Sequence, residues 1–275
     1  MATKSSTHKL VAKKTTTNAT HVTKLSTVKA VSATKKTTLF SSPLKTAPFI
    51  GALVAEFIGT FLLAGAVIAG QGQPIIVMFA IAGVVLLVGT LSGSHLNPAI
   101  TFGAWLTKKV SALRAAGYIV AQVLGAWFAY AVLSAFVHGA APLSSAAQAY
   151  GQTGPTLFQA LALPAGKEWY IFFAELLGAV ILGLVMATAF RYKKDRVAYS
   201  LTVGFGIFVA LLLAASAAAY VGGTAVVNPA VAVSLGAIKW SVWPLATYIL
   251  APMIGASVGF ILHDILRVES DGGND

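Results

Sequence analysis

The chain has 275 residues, of which 57% are hydrophobic and only 10% are charged, and its mean hydropathy is +0.81. These values lie far outside the range of soluble globular proteins and predict an all-α membrane protein. Cysteine is absent, which excludes disulfides and thiolate metal sites. A spanning helix needs about 20 residues, so the length allows six spans and two shorter segments.

The formal net charge of +11 is concentrated at the N-terminus. Residues 1–46 contain nine lysines and no acidic residue, set among Thr, Ser, Ala and Val. A segment of this kind buries too little apolar surface to fold alone, so we predict a disordered basic cytoplasmic tail. Two interpretations fit it: a solvated extension without a partner, or a tether to anionic lipid headgroups or nucleic acid.

Six apolar segments follow the tail, near 48–70, 74–92, 112–137, 168–190, 198–220 and 243–267. Basic residues are unevenly distributed among the connections, which predicts that the richer side and both termini face the cytoplasm. The connections after the second and fourth spans hold seven basic residues and the opposite ones hold two, namely Lys108, Lys109, Arg114, Arg191, Lys193, Lys194 and Arg196 against Lys167 and Lys239.

The tripeptide Asn-Pro-Ala occurs twice, and each copy begins an apolar run of about ten residues. Asn is a preferred N-cap and Pro a preferred first helical residue, so each copy predicts a helix start. A helix of that length rises about 15 Å, half of the hydrocarbon core. Two half-helices in matching places predict a membrane transport site. The two copies are Asn97, Pro98, Ala99 and Asn228, Pro229, Ala230.

The two halves of the chain resemble each other. The pattern Ala-Glu-x-x-Gly appears at 55–59 in the first predicted span and again at 174–178 in the fourth. Because each half holds three spans, an odd number, the halves must have inverted topology in the membrane. The half-helices then enter from opposite sides, and their Asn ends meet near the midplane with partial positive charge.

These features resemble the aquaporin, or major intrinsic protein, family of channels for water and small solutes. The resemblance covers roughly 48–267 and is carried by the segment 92–101, the second Asn-Pro-Ala and the repeated Ala-Glu-x-x-Gly. It implies six tilted helices around a pore, a homotetramer with one pore per subunit, and a place in the plasma membrane. The chain then divides into the tail 1–46, a channel domain 47–268 with repeats 47–137 and 168–267, and a C-terminal tail 269–275.

Five residues inside the predicted membrane region are candidates for pore roles. Asn97 and Asn228 can each donate a side-chain amide hydrogen bond into the pore. Glu56 and Glu175 are carboxylates deep in predicted spans, and we expect them to accept bonds from the backbone before each half-helix rather than contact solute. His95 resembles the family's histidine beside the cytoplasmic pore mouth, where it either packs the loop or gates with pH.

The sequence departs from the family at the selectivity filter. The family's second Asn-Pro-Ala is followed by arginine, but Val231 stands in that place. By position we expect Val77, Leu211 and Ala225 to complete the filter. Such a ring offers neither a side-chain donor nor a fixed charge, so water specificity does not carry over from the family.

We therefore expect a passive channel for water or small neutral solutes that needs no cofactor or metal. A secondary transporter is an alternative, because inverted repeats with broken helices also build transporters. A structural membrane protein with a closed pore is another, suggested by the apolar filter. No nucleophile–base pair or metal-ligand cluster in the sequence indicates an enzyme.

Overall fold

The protein is a bundle of long apolar helices, and the two Asn-Pro-Ala segments begin two of the short helices that lie among them. A computed structural model describes residues 47–271, so the predicted tail 1–46 and residues 272–275 lie outside the described residues. Six helical segments in this range are long and apolar enough to cross a bilayer, which confirms the predicted fold class. The helices are α1 Ala47–Ala69, α2 Pro74–Ser92, α3 Pro98–Leu106, α4 Ala112–His138, α5 Ser145–Ala149, α6 Glu168–Ala189, α7 Arg196–Ala219, α8 Pro229–Ser234, α9 Val242–Leu245 and α10 Ala251–Asp271.

The fifth span begins two residues before the predicted boundary at 198. The Asp195 carboxylate caps α7 by accepting hydrogen bonds from the backbone N–H of Val197 at 3.1 Å and of Ala198 at 3.0 Å. These donors have no partner within the helix, so the cap fixes the start of α7 at Arg196.

The sixth span is interrupted, whereas the sequence predicts one uniform segment over 243–267. A π-helical turn, Ala246–Leu250, separates α9 from α10. Pro252 lacks an N–H, and its ring would clash with the carbonyl of Tyr248 four residues earlier in a regular helix. The wider turn accommodates this proline, and α10 then continues to Asp271.

The two repeats pack in the same way. In the first repeat α1 packs against α4, and in the second α6 packs against α10. A Cβ atom at Gly125 would collide with the carbonyl oxygen of Phe57, and one at Gly255 would collide with that of Leu176. Helices in lipid approach closely where such small residues lie at the crossing, so these two glycines set equivalent contacts.

Each half-helix packs against the last span of the other repeat. The half-helix α3 contacts α10, and α8 contacts α4. This exchange brings the N-termini of α3 and α8 together, as an inverted repeat requires. The second half-helix has only six residues, fewer than the predicted ten, and Gly236 follows it in a left-handed conformation with φ +67°.

Candidate functional site

The two Asn-Pro-Ala segments begin α3 and α8. Asn97 caps α3 by accepting a hydrogen bond from the Ala99 N–H at 2.8 Å, and Asn228 caps α8 by accepting one from the Ala230 N–H at 3.0 Å. Proline is the first residue of both helices, where its missing N–H costs nothing. The side-chain oxygen of each Asn is therefore engaged by its own helix, and its NH2 group points elsewhere.

Each Asn amide donates across the pseudo-two-fold axis to the opposite repeat. Asn97 Nδ2 donates to the carbonyl oxygen of Val227 at 2.9 Å, and Asn228 Nδ2 donates to that of Leu96 at 2.9 Å. An amide NH2 group has two hydrogens. Within residues 47–271 the second hydrogen of each group has no protein acceptor, and both Asn residues line one cavity. The pair can therefore donate one hydrogen bond each to a molecule between them.

The residue before each Asn adopts a left-handed backbone conformation. Leu96 has φ +51° and Val227 has φ +59°, which is rare outside glycine and strained for a β-branched residue. This conformation turns the carbonyl of Leu96 toward Asn228 and that of Val227 toward Asn97. The strain must be held by surrounding contacts.

Two buried carboxylates hold these left-handed segments. Glu56 accepts from the backbone N–H of His95 at 2.9 Å and of Leu96 at 2.7 Å. Glu175 accepts from the backbone N–H of Val226 at 2.5 Å and of Val227 at 2.8 Å. Both glutamates are fully buried. Buried charge is stable only when such donors surround it.

The first repeat adds side-chain donors that the second repeat lacks. Gln122 Nε2 donates to Glu56 at 2.7 Å and to Thr101 Oγ1 at 2.9 Å, and the Thr101 hydroxyl donates to the carbonyl of Asn97 at 3.1 Å. The corresponding residue in the second repeat is Pro252, which has no side-chain donor. Glu56 is thus held by three N–H groups and Glu175 by two in the described structure.

His95 is packed into the start of the first half-helix and also lines the cavity. Its ring lies edge-on to Tyr118 with centroids 5.3 Å apart and stacks against Phe190 at 5.5 Å. His95 Nδ1 lies 3.2 Å from Thr101 Oγ1, whose own proton is donated to Asn97. A proton on Nδ1 satisfies these contacts together and leaves Nε2 as an acceptor.

All four residues of the predicted filter line one cavity with both Asn residues. Its volume is about 430 Å³, and its walls come from α1, α2, α6, α7 and the two half-helices. The described residues that line it include no Asp, Glu, Lys or Arg. The predicted site residues found there are Val77, Leu211, Ala225, Val231, Asn97, Asn228 and His95, whereas Glu56 and Glu175 lie behind the wall.

Several wall and support residues were missed by reasoning from sequence. Gln71, Gln73 and Phe158 line the cavity from connections between helices, where periodicity gives no signal. Thr101 and Gln122 had a signal, since Thr101 ends the segment 92–101 and Gln122 lies between Tyr118 and Gly125, which match Tyr248 and Gly255 of the second repeat. Their bonds to Glu56 and His95 depend on the packing of α3 against α4.

Comparisons with known proteins agree with this architecture. The family model described as "Major intrinsic protein" matches residues 43–263. A probable aquaporin of TIP type from Medicago truncatula is 27% identical over 241 residues, covering 79% of this chain and 87% of the relative. Aquaporin AqpM from Methanothermobacter marburgensis is 28% identical over 204 residues, covering 70% and 74%.

A solved structure has the same fold. The X-ray structure of the aquaglyceroporin from Plasmodium falciparum matches with a TM-score of 0.60 at 19% identity, covering 81% of this chain and 98% of that one. Together with the six spans and the family match, this similarity identifies an integral membrane protein. The chain belongs to the major intrinsic protein family and is a channel for water or small solutes.

Proposed function

We propose that this protein is a passive channel whose filter is uncharged and that conducts small neutral solutes as well as water. The filter consists of Val77, Leu211, Ala225 and Val231. The observation that carries the proposal is that these four side chains line the same cavity as Asn97 and Asn228. Aliphatic walls neither bind water strongly nor repel an amphiphilic solute.

An uncharged filter wall changes the permeability of neutral solutes relative to that of water. A solute that enters a narrow pore loses hydrogen bonds to bulk water, and polar groups of the pore must replace them. At the filter the side chains offer none, so weakly hydrated solutes such as ammonia and methylamine lose less than water does. A small polyol loses more hydrogen bonds, but its carbon-bound face can pack against the aliphatic wall. We therefore expect these solutes to be conducted at rates comparable with water.

Exclusion of ions is supported by features other than a filter arginine. The N-termini of α3 and α8 face each other, and their partial positive charges oppose a cation between them. A second supporting feature is the aliphatic wall, which cannot replace the hydration shell of an ion. We propose that protons are blocked where Asn97 and Asn228 both donate to one water, because that water cannot then pass a proton along the file.

The two buried carboxylates argue for a channel rather than an ion-coupled transporter. Coupling requires an intramembrane group that binds and releases an ion. Both oxygens of Glu56 and of Glu175 already accept hydrogen bonds from the protein, and neither residue lines the cavity. We propose that these glutamates position the half-helices and do not carry ions.

Flux into proteoliposomes tests this proposal. Osmotic shrinkage and swelling by stopped-flow light scattering would be measured for water, methylamine and glycerol, with protein-free vesicles as the control. We expect flux of all three above the control, linear in the gradient of the neutral species, with no requirement for a sodium or proton gradient. Flux that saturates and requires an ion gradient would indicate a transporter, and absence of flux would indicate a closed pore.

Orientation and assembly extend the proposal. The basic connections described above support placing both termini on the cytoplasmic side of the membrane. The family resemblance supports the plasma membrane and a homotetramer. In the described structure the Lys109 ammonium pairs with Asp264 at 2.7 Å, which joins two segments on the proposed cytoplasmic side. Accessibility of single introduced cysteines to an impermeant reagent would test the orientation, since the natural chain has no cysteine.

A further inference from the structure

The connection between α4 and α6 contributes an aromatic side chain to the cavity. Phe158 is half-buried and lines the cavity that holds the proposed filter. Apart from His95, it is the only aromatic ring among the described residues that line this space. The proposed filter itself consists of Val, Leu and Ala, so Phe158 is the bulkiest apolar side chain among the described residues that line this space.

The connection that carries Phe158 is fastened to the segments that carry the filter. The backbone N–H of Ala160 donates to the carbonyl of Leu235 at 3.0 Å, at the end of the half-helix that holds Val231. The backbone N–H of Leu161 donates to Thr224 Oγ1 at 3.1 Å, next to filter residue Ala225. These two hydrogen bonds hold the residues just after Phe158 against the segments that contain Val231 and Ala225.

A glycine opposite Phe158 makes room for its ring. Gly72 lies in the turn between α1 and α2 with φ +67°, and a Cβ atom there would come within 2.7 Å of two ring carbons of Phe158. A contact that short would force the ring to move. The flanking residues Gln71 and Gln73 line the same cavity. The ring thus packs against the turn that leads into α2, the helix of Val77.

We infer that Phe158 is a fifth residue of the constriction and a specificity-determining residue of this channel. Its ring supplies the bulk that the four aliphatic filter positions lack, and it limits the size of the neutral solutes that pass. This inference rests on the proposed channel function. It assigns the size limit to the connection between α4 and α6 and leaves charge selectivity to the four filter positions and the half-helices.

A graded series at position 158 tests the inference in proteoliposomes of the full-length protein. Phe158→Trp, Phe158→Leu and Phe158→Ala vary the volume of the side chain without adding charge. The glycerol-to-water permeability ratio should rise in the order Trp, Phe, Leu, Ala. From the selectivity of apolar pockets for small size differences, the span from Phe to Ala should be on the order of tenfold. The matched control is Tyr150→Ala, an aromatic on the same connection that is 87% exposed and should leave the ratio unchanged.

Thermal unfolding in detergent separates a size limit from a purely structural role. If the Ala and Leu variants insert normally and keep the wild-type ratio, with or without a lower midpoint, Phe158 only fastens the connection and the inference is wrong. Should Phe158→Ala fail to insert, the order of Trp, Phe and Leu alone must hold. A wild-type protein without flux above protein-free vesicles overturns the proposed function and this inference together, whereas conducting protein with an unchanged ratio overturns only the inference.

Discussion

The side-chain amide of Asn97 donates a hydrogen bond to the carbonyl oxygen of Val227 at 2.9 Å, across 130 residues of sequence. The symmetry-related bond joins Asn228 to Leu96 at the same distance. Each residue that accepts such a bond is held left-handed by a buried glutamate of its own repeat. The two half-helices are therefore joined to each other beside the point where, in the proposed channel, a permeating molecule would meet both Asn residues.

Removing the side-chain amide donor of Asn97 or Asn228 tests the role of these hydrogen bonds between the half-helices. Asn97→Asp and Asn228→Asp keep the cap oxygen but replace the donor with negative charge beside a carbonyl. We expect water flux to fall and the exclusion of sodium and protons to weaken. The carbonyl left without its donor should cost about 1–3 kcal/mol of stability. Stopped-flow scattering and a vesicle-trapped pH indicator measure the two effects.

Gln148→Glu makes the same amide-to-acid change on the exposed helix α5 and serves as the control. It should leave both water flux and ion exclusion at wild-type values. If the Asp variants insert normally and conduct like the wild type, the assignment of the Asn pair to the pore is wrong.

The glutamates should differ in their contribution to stability. Glu56→Gln disturbs three N–H donors and Glu175→Gln disturbs two. An amide has one acceptor oxygen, and each donor left unpaired costs about 1–3 kcal/mol. We expect both variants to unfold at lower temperature, with Glu56→Gln lower still. Glu168→Gln at the start of α6 is the control, and equal midpoints for all three variants would contradict the positioning role.

Glycines at the helix crossings should respond to alanine substitution differently from a glycine with open space around it. Gly125→Ala and Gly255→Ala would place a methyl group against a backbone carbonyl that cannot retreat, at a cost of about 1–3 kcal/mol. Gly65 lies in α1, and no atom lies within 4 Å of the position that a Cβ would take there. The substitution Gly65→Ala should therefore stabilise the helix by about 0.5–1 kcal/mol. Thermal midpoints in detergent measure all three, and a midpoint for Gly125→Ala at or above that of Gly65→Ala would refute the close-packing account.

The fold was predictable because its signals are local. Hydropathy marks the six spans, and the Asn-Pro pairs mark two helix starts through cap chemistry that depends on adjacent residues. The recurrence of Glu56 at Glu175 marks two repeats, and because each repeat holds three spans, the repeats must have inverted topology. The structure differs from the predicted spans where a side chain acts outside the hydropathy pattern. The Asp195 cap moves the start of the fifth span, and Pro252 accompanies the interruption of the sixth.

The candidate site was predictable only in part. The hydrogen bond that Asn97 donates to the Val227 carbonyl depends on a left-handed backbone at Val227, which a β-branched residue gives no reason to expect. Phe158 lies in a connection without periodicity, and its place in the wall follows from two long-range backbone hydrogen bonds. Contacts of this kind depend on tertiary packing, which neither composition nor spacing records.

We propose that the constriction carries no fixed charge because valine occupies position 231. Val231→Arg would place a guanidinium in a cavity wall that has no charged group among the described residues. Arginine remains charged, and it repels other cations and binds water through its N–H groups. Val231→Met is the control, since it adds length to the side chain without charge.

The direct measurement is the methylamine-to-water and glycerol-to-water flux ratio of wild type, Val231→Arg and Val231→Met, reconstituted at equal density. We expect the wild type to conduct methylamine and glycerol alongside water. Both ratios should fall in Val231→Arg, by on the order of tenfold or more, and fall much less in Val231→Met. Unchanged ratios in a well-inserted Val231→Arg variant would mean that residue 231 does not line the constriction, and the uncharged filter would be contradicted.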